Sequence, residues 1–262
     1  MLDVHPPHHA ASTWRDFFIH IATIVLGLLI AVGLEQTVEY IHHRPQLQQL
    51  EADLHTEGIR NLHIALDNIR TSEQRRQTDA QQYAELIQAV RDHRAAAALP
   101  TQYISYSKPA YAVWTVAQQS GTLGLLSRED AQCYARLYGV VQYAVDQVKD
   151  INSANDRRTV TLLPGVSDPA GFPDLNQTGQ PPRYDLSLLN PQDLREARDA
   201  IAADLLIARQ SIKWNVYLYG IEWSVLHGSR SDEQNVHAIH DALDVYLHGG
   251  TPALLAKYPL PG

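Results

Sequence analysis

An all-α protein with a single N-terminal transmembrane helix and a helical-bundle extramembrane domain is the fold class this sequence predicts. Three observations predict it. An uncharged apolar run, FFIHIATIVLGLLIAVGL, occupies positions 17–34. Apolar residues recur at steps of three and four through most of the remaining chain. No stretch shows the two-residue alternation of a half-buried strand.

The apolar run comes first. About 18 residues at ~1.5 Å each span roughly 27 Å, close to the hydrocarbon core of a bilayer. Backbone amides have no water to bond there, so the segment must be helical. Trp14 and Tyr40 flank it, where amphipathic rings favour the headgroup layer. Ala31-Val32-Gly33 has the small-x-small pattern of a signal-peptide cleavage site. The apolar stretch exceeds the ~7–15 residues of a signal core, however, and its leading segment holds only Arg15. The run is therefore read as a retained anchor. Arg15 and Arg44 nearly balance across it, and the reading favours a cytoplasmic N-terminus with the body on the periplasmic side.

The elements follow in order. Residues 1–13 form a His/Pro tail (His5, Pro6, Pro7, His8, His9) without apolar periodicity, expected to be disordered. Residues 14–44 are the membrane helix and its exit, and 45–262 the helical body. Pro45 lacks an amide and disfavours helical geometry at Arg44, so a kink or break is expected there. Helical spacing returns from Gln46 to about Ala98, through Leu50, Leu54, Leu62, Leu66, Ile69, Leu86 and Val90. The stretch TSEQRRQTDA at 71–80 is polar all round and reads as an exposed turn of helix or a break. Gly58 is a weak point in the helix. Lys108-Pro109 is expected to start the next helix, which Gly121 ends in a left-handed cap. Ser127, with Asp130 three residues on, caps a helix to about Ile151. The Pro/Gly-rich stretch 152–190 reads as a long connection. Asn190-Pro191 is an N-cap followed by Pro at the first helical position, opening a long helix to Leu226 that Gly228 ends. Ser231 or Asp232 caps a last helix to His248, stopped by Gly249-Gly250, with Leu254, Leu255 and Tyr258 docking the tail.

Composition removes several function classes. Lys and Arg total 21 against 29 Asp and Glu, for a net charge of −8. A thinly spread basic content argues against nucleic acid, which needs a basic face. Cys133 is the only cysteine, so no intrachain disulfide or cysteine-based zinc site forms, and it reads as an inert packed thiol. Nucleophile elbow, P-loop, dinucleotide and H-E-x-x-H motifs are all absent. Glu222, Ser224 and His227 lie together on one helix and make no triad.

Two stretches carry a resemblance. One is WRDFFIHIATIVLGLLIAVGLEQ at 14–36, and the other AVWTVAQQSGTLGLLSREDA at 112–131. Together they resemble a group of uncharacterised single-span bacterial membrane proteins. In that group an apolar G-x-L-I-A anchor precedes a helical body with an SG-x-L-x-L-(I/L) helix–turn–helix. The resemblance covers roughly the N-terminal half. It implies a helical fold in the bacterial inner (cytoplasmic) membrane, and neither an activity nor catalytic residues.

Three constellations stand out. Thr23, Gly27, Ala31 and Glu35 recur every four residues in the anchor, with His20 at its start. Small residues at this spacing let helix backbones approach, and a histidine within a span faces a partner helix or a cavity. Glu39 with His42, and the stripe Glu233, His237, His240, Asp244 and His248, have the chemistry and spacing of divalent-metal ligands. The competing reading of the stripe is a solvated helix face, with Val236, Ile239, Leu243 and Leu247 as its apolar complement. Tyr103, Tyr106, Tyr111, Trp114, Tyr134, Tyr138, Trp214, Tyr217, Tyr219 and Trp223 read mostly as core. The expected role is a membrane-anchored structural or accessory protein, without catalysis or cofactor, that self-associates or docks to a membrane complex. The alternative is a metal-binding protein or a metal-dependent enzyme using the His/Glu faces.

Overall fold

The computed structural model describes residues 14–94, 106–162 and 188–261, and the side chains of 16, 39, 40 and 155–162 lie outside that description. The described residues form five helices and a short 3-10 turn, with no strand among them. They are α1 (Trp14–Arg91), α2 (Ala112–Ser120), α3 (Arg128–Leu162), α4 (Pro191–Leu226) and α5 (Asp232–Lys257), with the 3-10 turn Thr122–Leu125 between α2 and α3. The all-α expectation therefore holds. The His/Pro tail falls outside the described residues, as does most of the Pro/Gly connection.

The chain divides into two compact units, Met1–Glu51 and Ala52–Gly262. The first contains a helical stretch long and apolar enough to cross a membrane, with a mean hydropathy of 2.6. The expected break at Pro45 is not there, because α1 continues through it. The proline ring holds φ near a helical value, and Pro45 is exposed. The cost reduces to the missing amide bond to the Ile41 carbonyl and crowding on the preceding turn.

The second unit holds the core. α1 contributes Leu54, Leu62, Ala65, Leu66, Ile69 and Leu86, all buried. α3 faces inward with Tyr134, Leu137, Tyr138, Val141, Ala144, Val145 and Val148, the side its spacing predicts. α4 lies between α3 and α5 and packs on both. Near the C-terminal end of α1, Leu86 and Ala89 cluster with Leu189, Ala197 and Ile201. Gly220 of α4 meets α5 closely: a Cβ there would lie 2.8 Å from both the Ala238 carbonyl oxygen and the Ala242 Cβ. Hydrogen in place of a side chain is what lets these two helices approach.

Local end signals perform as expected. Gly121 is left-handed at φ 77. Ser127 Oγ accepts from the Asp130 amide at 3.0 Å, an N-cap bond, and donates to the Asp130 carboxylate at 2.6 Å. Asn190 accepts from the amides of Gln192 and Asp193, and Ser231 from that of Gln234. Gly250, at φ 64, interrupts α5, although helical residues resume to Lys257. The tail docks through Leu254 and Tyr258, whose carbonyl accepts from the Tyr219 hydroxyl at 2.7 Å.

Other expectations are corrected. α1 ends at Arg91 rather than Ala98, closed by His93 in the left-handed region at φ 52. Lys108-Pro109 does not open α2, which begins at Ala112, and residues 106–111 are not helical. α3 runs on to Leu162, past the assumed start of the connection at 152. No Pro or Gly occurs between Ile151 and Pro164, so nothing local stops it sooner. The polar stretch at 71–80 is neither an exposed turn nor a break: Ser72, Arg75 and Asp79 are buried within continuous helix.

Candidate functional site

His20, Thr23, Gly27, Ala31 and Glu35 all lie in α1 and are exposed. Steps of three and four put them along one helix face. The Thr23 hydroxyl donates to the Ile19 carbonyl at 2.8 Å, so this polar group is satisfied inside its own helix. A Cβ added at Gly27 would meet nothing within 4 Å. The face thus carries small residues at its middle, with an imidazole at one end and a carboxylate at the other.

The metal candidates are dispersed. Glu39 has its side chain outside the described residues, and His42 is exposed. Glu233, His237, His240 and Asp244 are exposed on α5, and His248 Nδ1 contacts the Asp244 carbonyl of its own helix at 2.8 Å. Among the described residues no group of three or more His, Cys, Asp or Glu side chains is placed to hold a metal. The expected apolar complement also differs, since Val236 and Leu247 are 52% and 70% exposed. The buried line of α5 is instead Asn235, Ala238 and Ala242, because the close approach of Gly220 admits only small groups. Cys133 is a packed thiol: its Sγ contacts the Ser229 carbonyl at 3.5 Å and accepts from Asn235 Nδ2 at 3.4 Å.

The structure brings together a set the sequence reading missed, a line of buried polar residues between α1 and α4. Asn61 Nδ2 donates to Glu222 Oε1 at 2.9 Å. Asn68 Nδ2 donates to Asn215 Oδ1 at 3.2 Å. Ser72 Oγ donates to Ser211 Oγ at 3.0 Å. Arg75 Nη2 pairs with Asp204 Oδ2 at 2.9 Å, and its Nε with Asp79 Oδ2 at 3.3 Å. Numbers rise along α1 as they fall along α4, so the helices are antiparallel and the pairs fix one register. A second seam joins α1 to α5, where Glu73 Oε1 accepts from Tyr246 Oη at 2.7 Å and Thr251 Oγ1 at 3.0 Å.

The two asparagines also clamp the segment 106–111. Asn61 donates to the Ala110 carbonyl at 3.0 Å and accepts from the Ala110 amide at 2.7 Å. Asn68 does the same with Ser107, at 2.9 and 3.0 Å. Seven helical residues rise about 10.5 Å, so three residues of the segment must cover that length, which is nearly full extension. The segment therefore runs stretched and antiparallel along α1. Each side-chain amide gives it the donor and acceptor that a neighbouring strand would supply.

At the head of the seam Glu57 links three helices. Its Oε1 accepts from the Tyr138 hydroxyl at 2.6 Å, and its Oε2 from the Val113 amide at 3.0 Å. That second bond caps α2, whose own N-cap residue Tyr111 makes no side-chain cap bond. Burial, then the bond to Glu57, pushes the Tyr138 phenol well above its ordinary value. Burial pushes the Glu222 carboxyl up to about 8. The Asn61 bond opposes this rise, and the negative charge of Glu57 adds to it. Desolvation weakens the Arg75 guanidinium, but Asp204, Tyr106 and Asp79 outweigh that and hold it above its ordinary value.

The usable sequence signal was a seven-residue repeat of polar residues, Asn61, Asn68, Arg75 and Gln82, in register with the buried Leu54 and Ala89. No family model, curated protein or solved structure matches this chain.

Proposed function

We propose that this chain is a membrane-anchored structural or accessory protein that associates with itself, or with a membrane protein complex, through the Thr23–Gly27–Ala31 face of its apolar helix. The observation that carries the reading is the state of that helix within the protein: its most apolar window has a mean hydropathy of 2.6 and is 0% buried. A core helix of such composition would be covered by the rest of the chain. Left bare in water it would be a severe liability, whereas in lipid it needs no cover. Open space over Gly27 supports close approach of a second backbone, because packing in lipid rests on small residues at such steps. The proposed setting is a bacterial inner membrane with the body on the periplasmic side.

The described body supports a structural role. Asn61, Asn68 and Glu57 hold α1, α2, α4 and the 106–111 segment in register, and the body's His/Glu faces are dispersed and exposed. Gentle detergent extraction of the full chain, with size analysis and mass spectrometry of what comes with it, tests the reading. A defined oligomer or a reproducible membrane partner supports it. Recovery from the soluble fraction, or as a lone monomer in mild detergent, contradicts it.

A further inference from the structure

The junction of α1, α2, α3 and α4 holds two carboxyl groups in unequal surroundings. Glu57 is 5% exposed, and both of its oxygens accept hydrogen bonds, from the Tyr138 hydroxyl and the Val113 amide. Glu222 is 1% exposed, and only Oε1 is bonded, by Asn61. Its Oε2 is buried without a partner, directly over Gly58, where a Cβ would approach it to 3.1 Å. The titratable groups acting at this point are Glu57 of α1 together with Tyr138 and Tyr134 of α3. The charge bearing on Glu222 is that of Glu57. Asn61 has no further proton to offer, because its second one goes to the Ala110 carbonyl.

A carboxylate at Glu222 would put a second negative charge into a dry junction and leave one oxygen without a donor. A carboxylic acid removes both problems, with the proton carried on Oε2 while Oε1 goes on accepting from Asn61. We propose that the junction is a proton-controlled latch: Glu222 holds a proton while α4 is docked on α1, and loss of that proton to water releases α4 and the Asn61-bound 106–111 segment. Asn61 makes the coupling direct, since one side-chain amide binds both Glu222 and Ala110. Glu57 extends it to α2 through Val113.

The direction follows from burial. Glu222 is raised to about 8 in the folded protein, from an ordinary value of 4.5. Its stabilising effect is complete below the ordinary value and is lost as pH rises through the folded one. Between the two, the opening constant climbs about tenfold per pH unit for one proton.

Hydrogen exchange of the full chain in detergent, from pH 5.5 to 9, tests this at the Ala110 and Val113 amides. Protection factors, with intrinsic exchange divided out, should fall about tenfold per pH unit toward pH 8 in the wild type. In Glu222→Gln, a neutral mimic of the acid, they should stay flat. A flat wild-type profile, or the same slope in Glu222→Gln, overturns the latch. Infrared spectroscopy of the wild type reads the proton without any variant. The carbonyl band of a buried carboxylic acid should be present at pH 6.5, where protection is already falling, and vanish only as pH rises through about 8; its absence at pH 6.5 also overturns the proposal.

Discussion

Arg75 of α1 and Asp204 of α4 form an ion pair at 2.9 Å with both side chains 2% exposed. Asp79, one turn along α1, joins the same guanidinium. Such a group is costly to break and cheap to replace whole, because desolvation has already consumed most of its attraction. Asp204→Ala should therefore destabilise the body by about 3–5 kcal/mol. Converting Arg75, Asp79 and Asp204 together to Met, Leu and Leu should cost less than that single change. Denaturant unfolding of the wild type, Asp204→Ala and the triple variant under one set of conditions checks the order.

The asparagine clamp predicts a local effect. Asn68→Ala leaves the Ser107 amide and carbonyl without their partner and should cost about 1–3 kcal/mol. Exchange at the Ser107 amide should rise far more than at Ala110, which Asn61 still holds. Equal loss of protection at both amides would mean that the segment docks as one piece by other contacts.

Two glycines should answer oppositely to alanine. Gly220→Ala drives a methyl into the Ala238 carbonyl and Ala242 Cβ, and should destabilise by about 1–3 kcal/mol. Gly139, inside α3 with nothing within 4 Å of an added Cβ, should gain roughly 0.5–1 kcal/mol as alanine. Thermal unfolding of the two variants beside the wild type separates them.

What the sequence revealed was local. Ser127, Asn190, Ser231 and Gly121 act on amides and carbonyls within three or four residues, so their roles could be read without knowing the fold. The inward side of α3 was also legible, since its apolar spacing is regular. Burial of Arg75 was not, because its partner Asp204 lies on another helix and only tertiary pairing makes the position tolerable. From sequence alone, the all-polar stretch 71–80 therefore points to an exposed turn or a break, not to a buried helix. Pro109 misled for the opposite reason. It has the look of a helix start, but Asn61 and Asn68 hold the chain around it extended. In the apolar helix, steps of three and four put His20, Thr23, Gly27, Ala31 and Glu35 on one face, a placement that follows from spacing alone.

The central claim is association through that face, and oligomeric state in mild detergent or lipid nanodiscs tests it most directly. Three proteins suffice: wild type, Gly27→Ile and Val25→Ile. Position 25 lies about 200° around the helix from position 27, off the proposed contact. The account predicts a defined oligomer or complex for the wild type and Val25→Ile, with Gly27→Ile shifted to the dissociated chain. An unchanged assembly in Gly27→Ile, or none in the wild type, would contradict it.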